Sequence, residues 1–175
     1  MRDWVPVPGS ARARILTAGM TIFERDGFDA AGVIDIATTA GVTTGSLYHH
    51  FESKLGLFQV IRREMERRIR DRMEGAFEAA GGGRAGVNAA MLVGFDAAVK
   101  LRAARILSDE PAGFEEPTLQ DALSGVMAPL PPPTASVLLG AWRASLREVV
   151  KSQARGETDS AVARSSLEWV LNCSS

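Results

Sequence analysis

The chain has 175 residues, of which 46% are hydrophobic, and its 20 basic and 21 acidic residues give a formal net charge of −1. That apolar content is enough for a buried core, and the balanced charge excludes a protein that coats nucleic acid with a generally basic surface. The single cysteine excludes an intrachain disulfide framework, and no apolar run is long enough for a membrane span or a signal peptide. We therefore expect a soluble, cytoplasmic protein.

The N-terminal part of the chain predicts a lead-in followed by a helix. Residues 1–10 contain two prolines and a glycine, so we expect them to be flexible. Ser10 is a suitable N-cap for a helix over 11–25, in which apolar residues recur at helical spacing. Gly27 is expected to end this helix, because glycine tolerates the left-handed conformation of a helix C-terminus.

Two short helices are predicted next, over 33–40 and 44–50. Gly41 separates them, and Thr43 is placed to cap the second. Two short helices joined by a tight turn that contains glycine are typical of a helix-turn-helix. The spacing therefore predicts this motif, although it also fits an ordinary packed helical hairpin with solvated surface residues.

The second short helix has two chemically different sides. At about 100° per residue, Leu47 and Phe51 share one side, which we expect to be buried. The opposite and flanking positions present small, hydroxyl and aromatic groups: Thr44, Gly45, Ser46, Tyr48, His49 and His50. Such a surface can enter the major groove of DNA and contact base edges and phosphates.

The rest of the chain also has helical patterning, and no alternating strand pattern of useful length occurs. An arginine-rich helix is predicted over 54–80 and ends at a run of glycines. Further helical segments are predicted over 84–107, 115–128, 134–153 and 158–172. The fold class is therefore all-α, with about nine helices.

A set of motif residues between about 12 and 58 points to a known family. They are Arg14-Ile15-Leu16, Phe23, Gly27-Phe28, Ile36-Ala37, Ala40-Gly41-Val42, Gly45, Leu47-Tyr48, His50-Phe51 and Ser53-Lys54. This set resembles the N-terminal domain of the TetR family of bacterial repressors. The remaining two thirds of the chain resemble the family only in being helical and in ending with two long helices.

The resemblance implies a domain organisation and a DNA-binding function. A flexible N-terminus at 1–10 would precede a three-helix helix-turn-helix domain at 11–53 and a helical ligand-binding and dimerisation domain at 54–175. The partner would be a double-stranded DNA operator. The implied DNA contacts are Thr43, Thr44, Gly45, Ser46, Tyr48, His49, His50, Lys54 and Arg12.

The implied contacts have different roles. Tyr48 and His50 would mainly hold phosphates, as would Lys54 and Arg12, whereas Thr44, Ser46 and His49 are candidates for base edges. One departure from the family is that Ala31 and Gly32 replace the threonines that usually precede the second helix. Glycine caps a helix acceptably and alanine poorly, so a phosphate contact there is in doubt.

The last two helices carry apolar faces too broad for cover on one side alone. With the resemblance, these faces predict a four-helix dimer interface and hence an approximately palindromic operator. The candidate interface residues are Leu138, Leu139, Trp142, Leu146, Val150, Val162, Leu167 and Val170. The same pattern would also fit the ordinary core of a monomer.

The resemblance also implies a small-molecule effector, which here would be mostly apolar. Candidate pocket residues are Phe77, Met91, Phe95, Leu107, Phe114, Met127 and Trp142, although methionine and phenylalanine at helical spacing usually form core. A shift of the helix 54–80 would then change the spacing of the two DNA-binding domains.

No enzyme is predicted. The only histidines are adjacent on one helix and diverge, so we expect no catalytic residues, no metal site and no cofactor. Three hypotheses remain. The chain is a ligand-responsive dimeric repressor, a similar regulator that answers to a partner protein, or a helical ligand carrier or adaptor with a degenerate helix-turn-helix.

Overall fold

A computed structural model describes residues 9–113, 124–128, 130–157 and 159–173. Over these ranges the chain is helical and contains no strand, so the all-α expectation is confirmed. The helices are α1 (Ala11–Ala30), α2 (Val33–Ala40), α3 (Thr44–Phe51), α4 (Lys54–Ala79), α5 (Gly83–Lys100), α6 (Ala104–Ser108), α7 (Ser124–Met127), α8 (Pro132–Ala154) and α9 (Ala161–Asn172). Most of the helix predicted at 115–128 lies outside the described residues. Within the described ranges, no helix combines the length and the apolar character that a membrane span requires.

The first helix differs from its prediction. The sequence pattern ends it at residue 25, whereas α1 continues to Ala30. Gly27 has a φ of 82° and a ψ of 171°, so it interrupts the helix as expected, but one more turn follows. The added turn brings the chain against α6, where it contributes to the contact described below.

Buried side chains form two clusters that share α4. One cluster joins α1, α2, α3 and the first turns of α4, with the Phe23 and Phe58 rings packed edge to face at 5.1 Å. The other joins the rest of α4 to α5, α6 and the C-terminal helices around Phe95 and Trp142. One continuous helix therefore contributes side chains to both cores.

The end of α1 is also tied to α6 by hydrogen bonds between residues about 80 positions apart. The Glu24 carboxylate accepts from the backbone N–H groups of Arg105 (3.1 Å) and Ile106 (3.3 Å). Arg105 donates in return through Nε to the Glu24 carbonyl at 3.0 Å. The Asp109 carboxylate accepts from the Phe28 N–H at 3.1 Å. We call this contact, together with Arg62, the α1–α6 joint.

Arg62 connects α4 to the same joint from a buried position, where only 1% of its surface is exposed. Its Nη1 donates to the carbonyl oxygens of Ile106 and Asp109, and its Nε donates to the Glu66 carboxylate at 3.0 Å. A buried guanidinium needs such acceptors to offset its loss of hydration. The three helices α1, α4 and α6 are therefore held at one point by polar contacts.

Candidate DNA-binding surface

The turn between α2 and α3 is fixed by local signals in the sequence. Gly41 adopts the left-handed conformation, with φ 64° and ψ 41°, and ends α2. Thr43 then caps α3, because its hydroxyl accepts from the Ser46 N–H at 3.1 Å. Leu47 and Phe51 are 0% and 4% exposed and attach the inner side of α3 to the core. This arrangement is a helix-turn-helix whose second helix is held on one side only.

The outer side of α3 collects most of the side chains that the sequence singled out for DNA. Tyr48 is 49% exposed, and His49 and His50 are exposed beside it with their ring centroids 5.3 Å apart. Thr43, Thr44 and Gly45 are exposed as well, and Ser46 is half-buried. The surface therefore offers hydroxyl, phenol and imidazole groups that can donate to and accept from base edges and phosphates.

Lys54 is placed differently from the other candidates. Its ammonium group donates to the carbonyl oxygens of Phe28 (2.8 Å), Asp29 (3.3 Å) and Ala31 (3.2 Å), and it lies 4.5 Å from the centre of the Phe28 ring. An ammonium group has three donors, so these carbonyls occupy all of them. In this structure Lys54 closes the end of α1 and has no donor left for a phosphate.

Two arginines of α1 also face inward. The Arg12 guanidinium lies 5.3 Å from the centre of the Phe51 ring, and its Nη1 is buried with no acceptor among the described residues. Arg14, which the sequence analysis named as a family motif residue without assigning it a contact, donates from Nε to the carbonyl of Ala40 at 2.9 Å and so closes the end of α2. Both arginines support the helix-turn-helix from behind, since they are held against α2 and α3.

The N-terminus of α2 has the weak cap that its sequence predicts. Gly32 is the N-cap residue, and no side chain hydrogen-bonds to the first turn there. Ala31 is buried, and the neighbouring Ile34 is 70% exposed. Because Ala31, Gly32 and Ile34 all lack a hydroxyl group, these residues can offer a phosphate only their backbone N–H groups.

The residues predicted to bind an effector fall mostly in one buried cluster. Met91, Phe95, Leu107 and Trp142 are each at most 1% exposed, and Phe77 is half-buried beside them. The Trp142 Nε1 is buried and has no acceptor in the part of the chain that the structure describes. Phe114 and the side chain of Met127 lie outside the described residues.

The residues predicted to form a dimer interface divide into two groups. The larger group lies in the protomer's own core, where each member is at most 4% exposed: Leu138, Leu139, Trp142, Leu146 and Leu167. A second copy cannot reach these side chains, because the same chain already covers them. Val150 and Val170 are half-buried, and Val162 is 76% exposed.

Two further residues on the outer side of the last helices lie outside the set predicted for the dimer interface. Val137 on α8 is 67% exposed and Trp169 on α9 is 69% exposed. A groove of about 750 Å³ runs between the two helices, and small residues such as Ala141, Ala144 and Ser166 line it. The width of the apolar arc was visible in the sequence, but the side of each helix that faces the core was not.

Across the described ranges, no three side chains of His, Cys, Asp or Glu are grouped so that they could hold a metal ion.

The sequence of the helix-turn-helix is similar to that of known proteins. The sequence profile described as bacterial regulatory proteins, tetR family, matches residues 15–61. The HTH-type transcriptional repressor KstR2 of Mycolicibacterium smegmatis is 42% identical over 57 residues, which are 33% of this chain and 28% of that protein. The HTH-type transcriptional regulator UidR of Escherichia coli is 41% identical over 68 residues, which are 37% of this chain and 35% of that protein. The chain thus spans about a third of the length of these relatives.

The fold of the whole chain has counterparts among solved structures. A tetR family transcription regulator from Shewanella sp. PV-4 superposes with a TM-score of 0.66 at 19% identity, over 93% of this chain and 96% of that one. At that identity the likeness extends to the fold and no further. The helix-turn-helix at 15–61 is therefore similar in sequence to that of the tetR family of bacterial regulatory proteins, and the chain as a whole shares its fold with a solved tetR family regulator.

Proposed function

We propose that the chain is a cytoplasmic transcription regulator, most simply a repressor, that binds a palindromic DNA operator as a homodimer and has no catalytic role. The observation that carries the proposal is the outer side of α3, where Tyr48, His49 and Thr44 are exposed on a helix whose inner side is fixed in the core. A helix presented in this way fits the major groove, which is about 12 Å wide.

Selection from a random duplex library by the purified protein tests this proposal. We expect the recovered sequences to share an approximately two-fold symmetric site, because two copies of α3 must lie about 34–36 Å apart to enter successive major grooves. Tyr48→Ala and His49→Ala should each weaken binding to the recovered duplex about tenfold, since each removes one polar contact. Fluorescence anisotropy at fixed salt measures both effects.

The control for that experiment is Lys100→Ala, which replaces an exposed lysine at the end of α5, outside both α3 and the helices proposed for the dimer. It should bind the duplex with unchanged affinity. If no sequence is enriched, or if the Tyr48 and His49 variants bind like the parent, then α3 is not the DNA-reading helix.

The homodimer in this proposal uses the outer sides of α8 and α9. Val137, Val162 and Trp169 are the large apolar side chains exposed there, and the groove between the two helices is lined by small and aliphatic residues along the helices and by charged residues, among them Arg155 and Glu157, at the end of α8. A bulky side chain from a second copy can enter such a groove, as ridges enter grooves where helices pack. The second copy also supplies the second recognition helix that a palindrome requires.

Trp169→Lys is expected to weaken the dimer more than about 30-fold, because truncating a buried interface tryptophan typically costs 2 kcal/mol or more. The exposed position keeps the protomer's own core intact, so the variant should still fold. Sedimentation equilibrium measures the effect. The matched control is Val93→Lys, which places the same charge at an exposed valine on α5. A Trp169→Lys variant that dimerises like the parent would remove α9 from the interface.

An effector completes the proposal. The buried cluster around Trp142 and Phe95 is apolar, and the unpaired Trp142 Nε1 is a donor that a ligand with one acceptor would satisfy. Such a ligand would be mostly apolar and would release DNA only if it bound more tightly to one spacing of the two helix-turn-helix domains. Release of the selected duplex by compounds of this kind is the corresponding assay.

A further inference from the structure

The proposed DNA-binding surface has little fixed positive charge. Residues 9–56 contain four lysines and arginines and five carboxylates, and α3 itself contains neither lysine nor arginine. DNA-binding surfaces ordinarily owe much of their affinity to cations that neutralise phosphates. The source of positive charge at this surface therefore needs an explanation.

Most of the four cations are engaged within the protein. Lys54 donates to three backbone carbonyls, and Arg14 donates to those of Ala40 and Gly9. Arg25 forms a two-bond ion pair with Asp26 at 2.6 Å. Arg12 lies against the Phe51 ring with one terminal nitrogen buried. Of these four groups only Arg25 is paired with a carboxylate of the described residues; the other three keep their charge, but their contacts are with the end of α1, the end of α2 and the inner side of α3 rather than with its outer side.

His49 and His50 are the remaining source of positive charge on α3. They are the only two histidines of the chain, they lie in the last turn of α3, and both are exposed. Histidine is the side chain that ordinarily changes charge between pH 5 and pH 8. The C-terminal end of a helix favours a cation, because the unpaired carbonyl oxygens there carry partial negative charge.

The charged groups on the elements packed against α3 do not replace this pair. Arg12 is the nearest cation of α1 to the inner side of α3, and Lys54 is the cation at the start of α4. The carboxylates are Asp35 on α2 and Glu52 at the C-cap of α3, and both are exposed. These two cations and two carboxylates cancel, so without charged histidines they give this part of the surface no net positive charge to attract phosphate.

We propose that DNA binding by this chain is coupled to proton uptake at His49 and His50, so that affinity for the operator rises as the pH falls from 8 to 6. This inference rests on the proposed function, because it assumes that α3 faces DNA. In the neutral form the two imidazoles contribute hydrogen bonds alone. In the charged form they also neutralise phosphates, and DNA in turn stabilises the charged form.

The test uses the full chain and the duplex recovered by selection, with anisotropy measured from pH 6 to pH 8 at constant ionic strength. We expect affinity to fall on the order of tenfold across this range. The slope of log affinity against log salt should be steeper at pH 6 than at pH 8, by about 0.9 for each charged imidazole at a phosphate. Calorimetry in buffers of different ionisation enthalpy measures proton uptake directly on the unaltered protein.

Two variants identify the residues that take up the protons. The double variant His49→Gln, His50→Gln keeps hydrogen-bonding groups but cannot become charged, so its affinity should be lower and independent of pH. Glu24→Gln is the matched control, because burial raises the pKa of Glu24 to about 7 and this carboxyl would titrate in the same window. That control should retain both the pH response and the proton uptake.

The outcomes are distinct. Binding with pH-independent affinity and no proton uptake would overturn the coupling and leave the proposed function standing. A response that disappears in Glu24→Gln but persists in the double histidine variant would assign the protons to the α1–α6 joint and so overturn the inference. Absence of binding to any duplex at every pH would overturn the proposed function and the coupling together.

Discussion

Replacing Arg62 by methionine is expected to lower the free energy of unfolding by about 3–5 kcal/mol. The guanidinium is buried and donates to the carbonyl of Ile106 in α6, to the carbonyl of Asp109 directly after α6, and to the Glu66 carboxylate on its own helix. Methionine fills similar space but has no donor. The substitution therefore leaves the carbonyls of Ile106 and Asp109 without the guanidinium, and Glu66 without its ion pair to Arg62, and that loss exceeds the net value of the bonds themselves.

Chemical denaturation monitored by circular dichroism measures this loss. Arg72→Met is the matched control, because Arg72 is exposed on the same helix and should change stability by at most about 0.5 kcal/mol. Arg62→Lys should recover only part of the loss, since an ammonium group lacks the planar fork that bridges separated acceptors. A methionine variant as stable as the parent would show that the joint contributes nothing to folding.

The second large effect is a fall in stability as the pH rises. Burial, the largest cause, raises the pKa of Glu24 from 4.5 to about 7, against smaller opposing contributions from the Ile106 and Arg105 N–H groups and the Arg105 charge. The folded chain therefore binds this proton more tightly than the unfolded chain. The stabilisation is fully present below about pH 4.5 and is lost as the pH rises to about 7, with a contribution of about 3 kcal/mol.

Glu24→Gln tests the assignment of this fall. The glutamine oxygen can accept from the same two N–H groups without ionising, so the variant should be more stable than the parent at pH 8 by about 1–3 kcal/mol. The contribution of Glu24 to the pH dependence of the free energy of unfolding between pH 5 and pH 8 should disappear. Glu78→Gln, at an exposed position on α4, serves as the control and should follow the parent. A parent whose stability rises from pH 5 to pH 8 by several kcal/mol would contradict the prediction.

The helix-turn-helix could be predicted from the sequence because its signals are local. Gly41 and Thr43 act within a few residues of themselves, so α2 was predicted with its observed bounds and α3 to within one residue. The motif residues between 12 and 58 carried the resemblance to the tetR family for the same reason. Capping and turn chemistry depend on the identity of one or two residues, and a single sequence displays them directly.

Contacts between distant parts of the chain could not be predicted in this way. Glu24 and Arg105 are 81 residues apart, and nothing near either residue indicates that they meet. Lys54 matches a phosphate-binding position by resemblance, yet its donors are occupied by carbonyls of α1. On α8 and α9 the apolar arcs were too broad to show which side faces the protomer's own core, so five core residues were assigned to the dimer interface.

The position of Arg62 divides α4 into a short N-terminal part and a C-terminal part about twice as long. At 1.5 Å per residue, Arg62 lies about 12 Å from Lys54 at one end of the helix and about 26 Å from Ala79 at the other. If α4 turns as a rigid rod about the buried Arg62 side chain, a sideways shift of Ala79 is accompanied by a shift of Lys54 in the opposite direction and of roughly half the size. Arg62 would then be the pivot of this rotation, and the end of α4 next to α3 would move less than the end next to α5. Large displacements near α5 would be converted into small, well-defined adjustments of α3.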